Sequence, residues 1–154
     1  MRTRKSLLAI ATLFVVGSSL AFAATKPSLE GVKCVMQPTK AVDESKSVDW
    51  KEGKIYFCCA NCPKGFAADK EKHAAKANAQ LVATKQYKQE ACPISGAKLD
   101  DSTAIEVRGT KVAFCCTKCK AKVEAAKGDE QLEMVFGEKA FEKGKFVVVK
   151  AEKK

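Results

Sequence analysis

Lys54-Ile55-Tyr56-Phe57-Cys58-Cys59-Ala60-Asn61-Cys62 returns later in the chain as Lys111-Val112-Ala113-Phe114-Cys115-Cys116-Thr117-Lys118-Cys119. The lysine, the phenylalanine and all three cysteines coincide at an offset of 57 residues. Upstream, Val48-Asp49-Trp50 falls on Ile105-Glu106-Val107 at the same offset, and Cys34 meets Cys92 at 58. The halves therefore read C-x23-C-C-x2-C and C-x22-C-C-x2-C. Four cysteines in register twice over is a tandem duplication, the kind of signal to be read before any other fold argument. The expected modules span 30–83 and 90–150.

Each half carries the same local pattern. Val48 and Trp50 alternate with polar residues, Gly53 turns the chain, and Ile55 and Phe57 alternate again, which predicts a β-hairpin. Ile105, Val107, Gly109, Val112 and Phe114 repeat it. A helix is expected after the last cysteine of each cluster. Pro63 suits a helix start, and Cys62, Phe66, His73 and Ala77 recur at helical spacing. Cys119, Val123 and Ala126 do likewise, with Gly128 as a C-terminal stop. Leu81-Val82 and Phe146 to Val149 suit closing strands, Leu132 to Phe141 fits helix or strand, and Ser45 to Ser47 and Tyr87 to Glu90 read as loop and linker. The fold class is α+β: two small tandem ββα modules after a signal peptide.

That signal peptide is read in residues 1–23. Arg2, Arg4 and Lys5 precede an apolar stretch from Leu7 to Phe22, and Ala21-Phe22-Ala23 fits a cleavage site. The apolar run falls short of the roughly 20 residues of a membrane span, and none follows, so no stable span is expected after cleavage. The predicted location is the periplasm or the exterior.

Composition narrows the chemistry. The chain has 154 residues, a net charge of +10, eight cysteines and one histidine. Apolar residues are 46% and aromatics 7%, which predicts a folded chain with a thin core. No phosphate-cradling glycine loop and no nucleophile elbow occur. Of the 28 basic residues, three leave with the leader, so 25 face 18 acidic ones in the mature chain, and only Arg108 among them is arginine. Nucleic-acid readers use arginine forks and aromatic stacking faces; a solvated lysine surface is the expectation, with no nucleic-acid partner. Asp100-Asp101 and Asp129-Glu130 read as loop and helix-start charges rather than as a two-carboxylate hydrolytic pair.

In each half one cysteine precedes the hairpin and three lie where its second strand meets the helix. Soft thiolates gathered at such a junction suit Zn²⁺ or Cu⁺, and the helix N-terminus is expected to favour thiolate at Cys62 and Cys119. Bound metal could contribute ~10–16 kcal/mol of apparent binding free energy to folding. Disulfides are the competing use of an even cysteine count in an exported protein. They would make the chain a stapled module binding another periplasmic protein. The adjacent pairs Cys58-Cys59 and Cys115-Cys116 would strain any bond between neighbours. Thiol redox chemistry at C-x-x-C is a third use, although the βαβ context it needs is missing. His73 sits on the expected Cys62 face but eleven residues on, about 16 Å along a helix, and is read as solvated or partly packed.

Cys34, the run Tyr56-Phe57-Cys58-Cys59-x-x-Cys62-x-x-x-Phe66 and the following Asp69 resemble the YHS/TRASH-type metal-binding domains. The resemblance implies small treble-clef-like modules that handle or sense metals, without catalysis. It implies ligands at Cys34, Cys58 and Cys62, and at Cys92, Cys115 and Cys119. Cys59 and Cys116 fall at a variable family position, as a fourth ligand or a bystander. All eight cysteines are therefore candidate metal ligands. Cys34-Val35-Met36 keeps a methionine common in these domains, while Cys92-Pro93-Ile94 lacks it. Met36 is more readily a core filler than a thioether ligand. The expected role is storage, delivery or resistance for a thiophilic metal.

Overall fold

The computed structural model describes residues 27–150, so the expected leader lies outside the described residues. The element order is β1 (Asp43–Trp50), β2 (Gly53–Phe57), α1 (Asn61–Ala68), α2 (Lys70–Ala83) and β3 (Tyr87–Lys88). There follow β4 (Asp100–Val107), β5 (Thr110–Phe114), α3 (Thr117–Ala125), α4 (Gly128–Phe136), α5 (Glu138–Lys143) and β6 (Val147–Val148). The class is mixed α+β with small antiparallel sheets: β1 with β2, β4 with β5, and β3 with β6.

The two hairpins share a register. Trp50 faces Gly53 and Val48 faces Ile55; Val107 faces Thr110 and Ile105 faces Val112. Each turn has two residues, and Lys51 and Arg108 both sit at φ 51°, a conformation that the right-handed twist of a hairpin favours but side chains resist. Each first strand carries a register shift after its opening aspartate. Asp43 accepts from the Ser45 backbone N–H and hydroxyl, and Asp100 accepts from Ser102 in the same way. Ser45 to Ser47 and Asp100-Asp101 thus lie in strands, not loops.

Two-stranded sheets expose ladder groups, and glutamine amides satisfy them here. Gln80 accepts from the Tyr56 N–H at 2.6 Å and donates to the Tyr56 carbonyl at 2.9 Å. Gln86 does the same for Lys54, and Gln89 for Ala113. Each amide substitutes for a neighbouring strand and blunts an edge that would otherwise invite pairing.

The helix after Cys62 is two helices. Asp69 leaves the helical region and accepts from the Lys72 N–H at 3.2 Å, capping α2. The alanine-rich run that follows has high helix propensity and carries Leu81-Val82 as helix, not strand. Leu132 to Phe141 forms α4 and α5, split at Gly137, where a Cβ would collide with Glu133. Gly128, at φ 60°, opens α4 rather than closing α3. Tyr87–Lys88 is not a free linker, because it pairs with Val147–Val148 near the other end of the chain.

The expected thin core gives way to one core drawn from both halves. Phe57, Phe66, Ile55 and Leu81 from the first join Phe114, Val123, Val135 and Phe136 from the second. Asn78 crosses the junction fully buried: its amide accepts from Trp50 Nε1 at 2.8 Å and donates to the Phe136 carbonyl at 2.8 Å. Pooling apolar surface is how a chain with few aromatics obtains a core of useful size. No helix among the described residues is long and apolar enough to cross a membrane.

Candidate metal centres

Two cysteine triads form, one in each half. Cys34, Cys58 and Cys62 bring their sulfurs within 4.8 Å of one another, and so do Cys92, Cys115 and Cys119. In each, the first sulfur comes from the loop before the hairpin, the second from the end of β2 or β5, and the third from the start of α1 or α3. Neither strand nor helix could assemble the site alone. All eight cysteines are free thiols.

The early cysteine is prepared to carry charge. Cys34 is fully buried. Burial pushes its thiol up, but backbone N–H groups of Cys58, Gln37 and Met36 directed at the sulfur outweigh that and hold it below the ordinary thiol value. Cys92 is equally buried. There burial is outweighed by the Ser95 hydroxyl and by the N–H groups of Cys115, Ser95 and Ile94, which bring it to about 7. Successive N–H groups converging on one atom make an anion-binding concavity, and the same one is built twice.

The helix-end cysteines behave otherwise than expected. Burial, reinforced by neighbouring thiols, pushes Cys119 up to about 12 and Cys62 up as well. The cysteines drawn toward thiolate are Cys59 and Cys116. Cys59 falls to about 7 through the Cys62 thiol and the N–H groups of Cys62 and Asn61. Cys116 is lowered chiefly by the Cys119 N–H. The favourable field of the helix start thus reaches the preceding residue rather than the residue inside the first turn, where burial wins.

Cys59 and Cys116 lie outside the triads. Cys59 Sγ stands 3.3 Å from Cys62 Sγ, while Cys58 Sγ stands 3.7 Å from it. In the second half Cys115 Sγ is 3.7 Å from both Cys116 and Cys119, and the Ser95 hydroxyl is 3.1 Å from Cys115 Sγ. Ser95 is the site residue that sequence reading missed. It stands three places after Cys92, where Gln37 stands after Cys34, and only its hydroxyl among those two side chains meets a thiol.

His73 belongs to α2 and to neither triad. Its ring lies 6.4 Å from that of Phe66, and its Nδ1 is buried without a hydrogen-bond partner. Met36 packs against the core beside α1, its methyl 3.4 Å from where a Gly65 Cβ would stand.

Three soft donors from three separate elements, screened from water on the Cys34 or Cys92 side, could hold a metal ion in each half. No protein-family model, curated protein or solved structure matches the chain.

Proposed function

We propose that the chain is a duplicated, non-catalytic carrier of a thiophilic metal, with one ion held by Cys34, Cys58 and Cys62 and one by Cys92, Cys115 and Cys119. The observation that carries this reading is the convergence of three sulfurs within 4.8 Å, twice, from equivalent places in two hairpin-and-helix units. Shared turn conformations and the paired Asp43 and Asp100 hydrogen bonds support descent of those units, over 30–83 and 90–150, from one ββα ancestor. The resemblance to YHS/TRASH-type domains agrees with this, since its three implied ligands per module are the triad members. Free thiols at all eight positions favour metal over a disulfide-stapled interaction module.

Three thiolates suit Cu⁺, which accepts low coordination, and equally a Zn²⁺ that takes its fourth donor from solvent. The leader read in residues 1–23 supports a working place in the periplasm or outside the cell, where an open three-sulfur site would serve storage, delivery or resistance.

The test is anaerobic titration of the reduced chain with Zn²⁺ and with Cu⁺ against chelators of known strength. Two tight equivalents of either metal are expected. One equivalent per chain would indicate a shared site, and none would return the disulfide reading to first place.

A further inference from the structure

We propose that Cys59 and Cys62 are a reversible thiol–disulfide pair whose oxidation dismantles the first triad ahead of the second. The redox link itself stands on geometry alone; only its effect on a bound ion rests on the metal reading.

Cys59 is the spare thiol of the first half, outside the triad and partly exposed. Its sulfur lies 3.3 Å from that of Cys62, closer than the Cys58 sulfur at 3.7 Å. A disulfide needs about 2.05 Å, so the two sulfurs must close by roughly 1.3 Å, within the reach of side-chain rotation. The residues are three apart across the start of α1, a spacing that brings side chains to one side of a helical turn. Cys62 is 6% exposed and belongs to the triad. An outside oxidant therefore meets Cys59 first, and Cys62 completes the bond from within.

The exchange balances with a small-molecule disulfide as oxidant. Cys59 sulfur attacks one sulfur of that disulfide, its S–S bond breaks, and one small thiol leaves with a proton. Cys62 sulfur then attacks the Cys59 sulfur of the mixed disulfide, and the second small thiol leaves with the second proton. The two cysteines give up two electrons, and the small disulfide is reduced to two thiols. A triad that has lost Cys62 to this bond keeps only Cys34 and Cys58.

The second half sets its thiols differently. Cys116 lies 3.7 Å from Cys115, its neighbour in the chain, and the Ser95 hydroxyl occupies the other side of Cys115. A bond between adjacent cysteines closes a strained ring, and although the Cys116 thiol also meets that of Cys119, it turns first to Cys115, so its path to Cys119 is less direct than that of Cys59 to Cys62. The two halves would then differ in use: one site releases its ion under milder oxidising conditions than the other.

The experiment equilibrates the full chain, metal-free and Zn²⁺-loaded, with mixtures of oxidised and reduced glutathione, then alkylates free thiols and maps the peptides. The expected result is a Cys59–Cys62 link with Cys58 alkylated, formed at a less oxidising ratio than any link in the second half. In the loaded chain one of two zinc equivalents should leave in step. Cys59→Ser should abolish the link and retain that zinc under the same mixture. A Cys58–Cys62 or Cys34–Cys58 link, or equal oxidation of both halves, overturns the proposal. A chain that binds no zinc fails the metal reading alone, because mapping of the metal-free chain still decides the link.

Discussion

The guanidinium of Arg108, at the turn of the second hairpin, donates to the backbone carbonyl of Cys34 in the first triad at 3.2 Å. Arg108 has no carboxylate within ion-pair distance among the described residues, and burial lowers its pKa. At the equivalent turn Lys51 meets Glu138 at 2.7 Å in the other half. Each hairpin therefore reaches across the junction, and the loop that carries Cys34 is steadied from the second half.

Replacing Arg108 with methionine should keep much of the packing and remove the donor. A hydrogen bond from a charged group contributes about 1.5–3 kcal/mol. The unfolding free energy from urea titration should fall by an amount in that range, through a lower midpoint at unchanged slope, and metal affinity should drop more at the first triad than at the second. Equal loss at both triads would show that Arg108 acts only on global stability.

Gln80→Met should cost about 2–4 kcal/mol in the same assay. It strands the Tyr56 N–H and carbonyl, which are buried behind α2, and leaves the part-buried Lys33 carbonyl to solvent. Because Lys33 adjoins Cys34 and Tyr56 lies two residues before Cys58, first-triad affinity should fall too, as read by chelator competition.

Cys58→Ser should cost far more metal affinity than Cys59→Ser, and Cys115→Ser more than Cys116→Ser. The reason is triad membership: Cys58 and Cys115 lie within 4.8 Å of both partners, while Cys59 and Cys116 stand outside. Chelator competition on the four variants measures it. The reverse order would make C-x2-C the chelating pair.

Affinity at the second triad should fall as pH falls, since ligand thiols must lose protons to bind. Cys119, near 12, carries a proton throughout the neutral range, so its displacement gives a slope there already. Cys92, near 7, is largely thiolate above that pH and protonated below it. The plot of log affinity against pH should therefore steepen by about one proton below pH 7. Ser95→Ala removes the hydroxyl that lowers Cys92 and should move the break to higher pH.

Much of this was legible in the sequence because the repeat is written in residues that must recur. The hairpin parts at 48–57 and 105–114 follow from alternation, the cysteine spacing gathers four cysteines in each half, and the resemblance to YHS/TRASH-type domains implies the three that meet. What escaped has physical causes. Leu81-Val82 resembles a strand in isolation, but the alanine-rich run before it carries the helix through. The break at Asp69 rests on a side-chain cap that periodicity does not register. The shared core, the β3–β6 pair and the glutamine edge caps are contacts between residues far apart in the chain. Ser95 gave no signal because a lone serine resembles any loop residue. The thiolate preference was assigned to Cys62 and Cys119 because helix dipoles can be read from sequence and burial cannot.

The central claim is that six particular cysteines, three in each half, hold two ions. Native mass spectrometry of the reduced chain loaded with Zn²⁺, followed by alkylation and peptide mapping of the same sample, tests it most directly. The account predicts two bound ions, protection of Cys34, Cys58, Cys62, Cys92, Cys115 and Cys119, and labelling of Cys59 and Cys116. A single ion bridging the halves, or protection of Cys59 and Cys116 in place of Cys58 and Cys115, would contradict it.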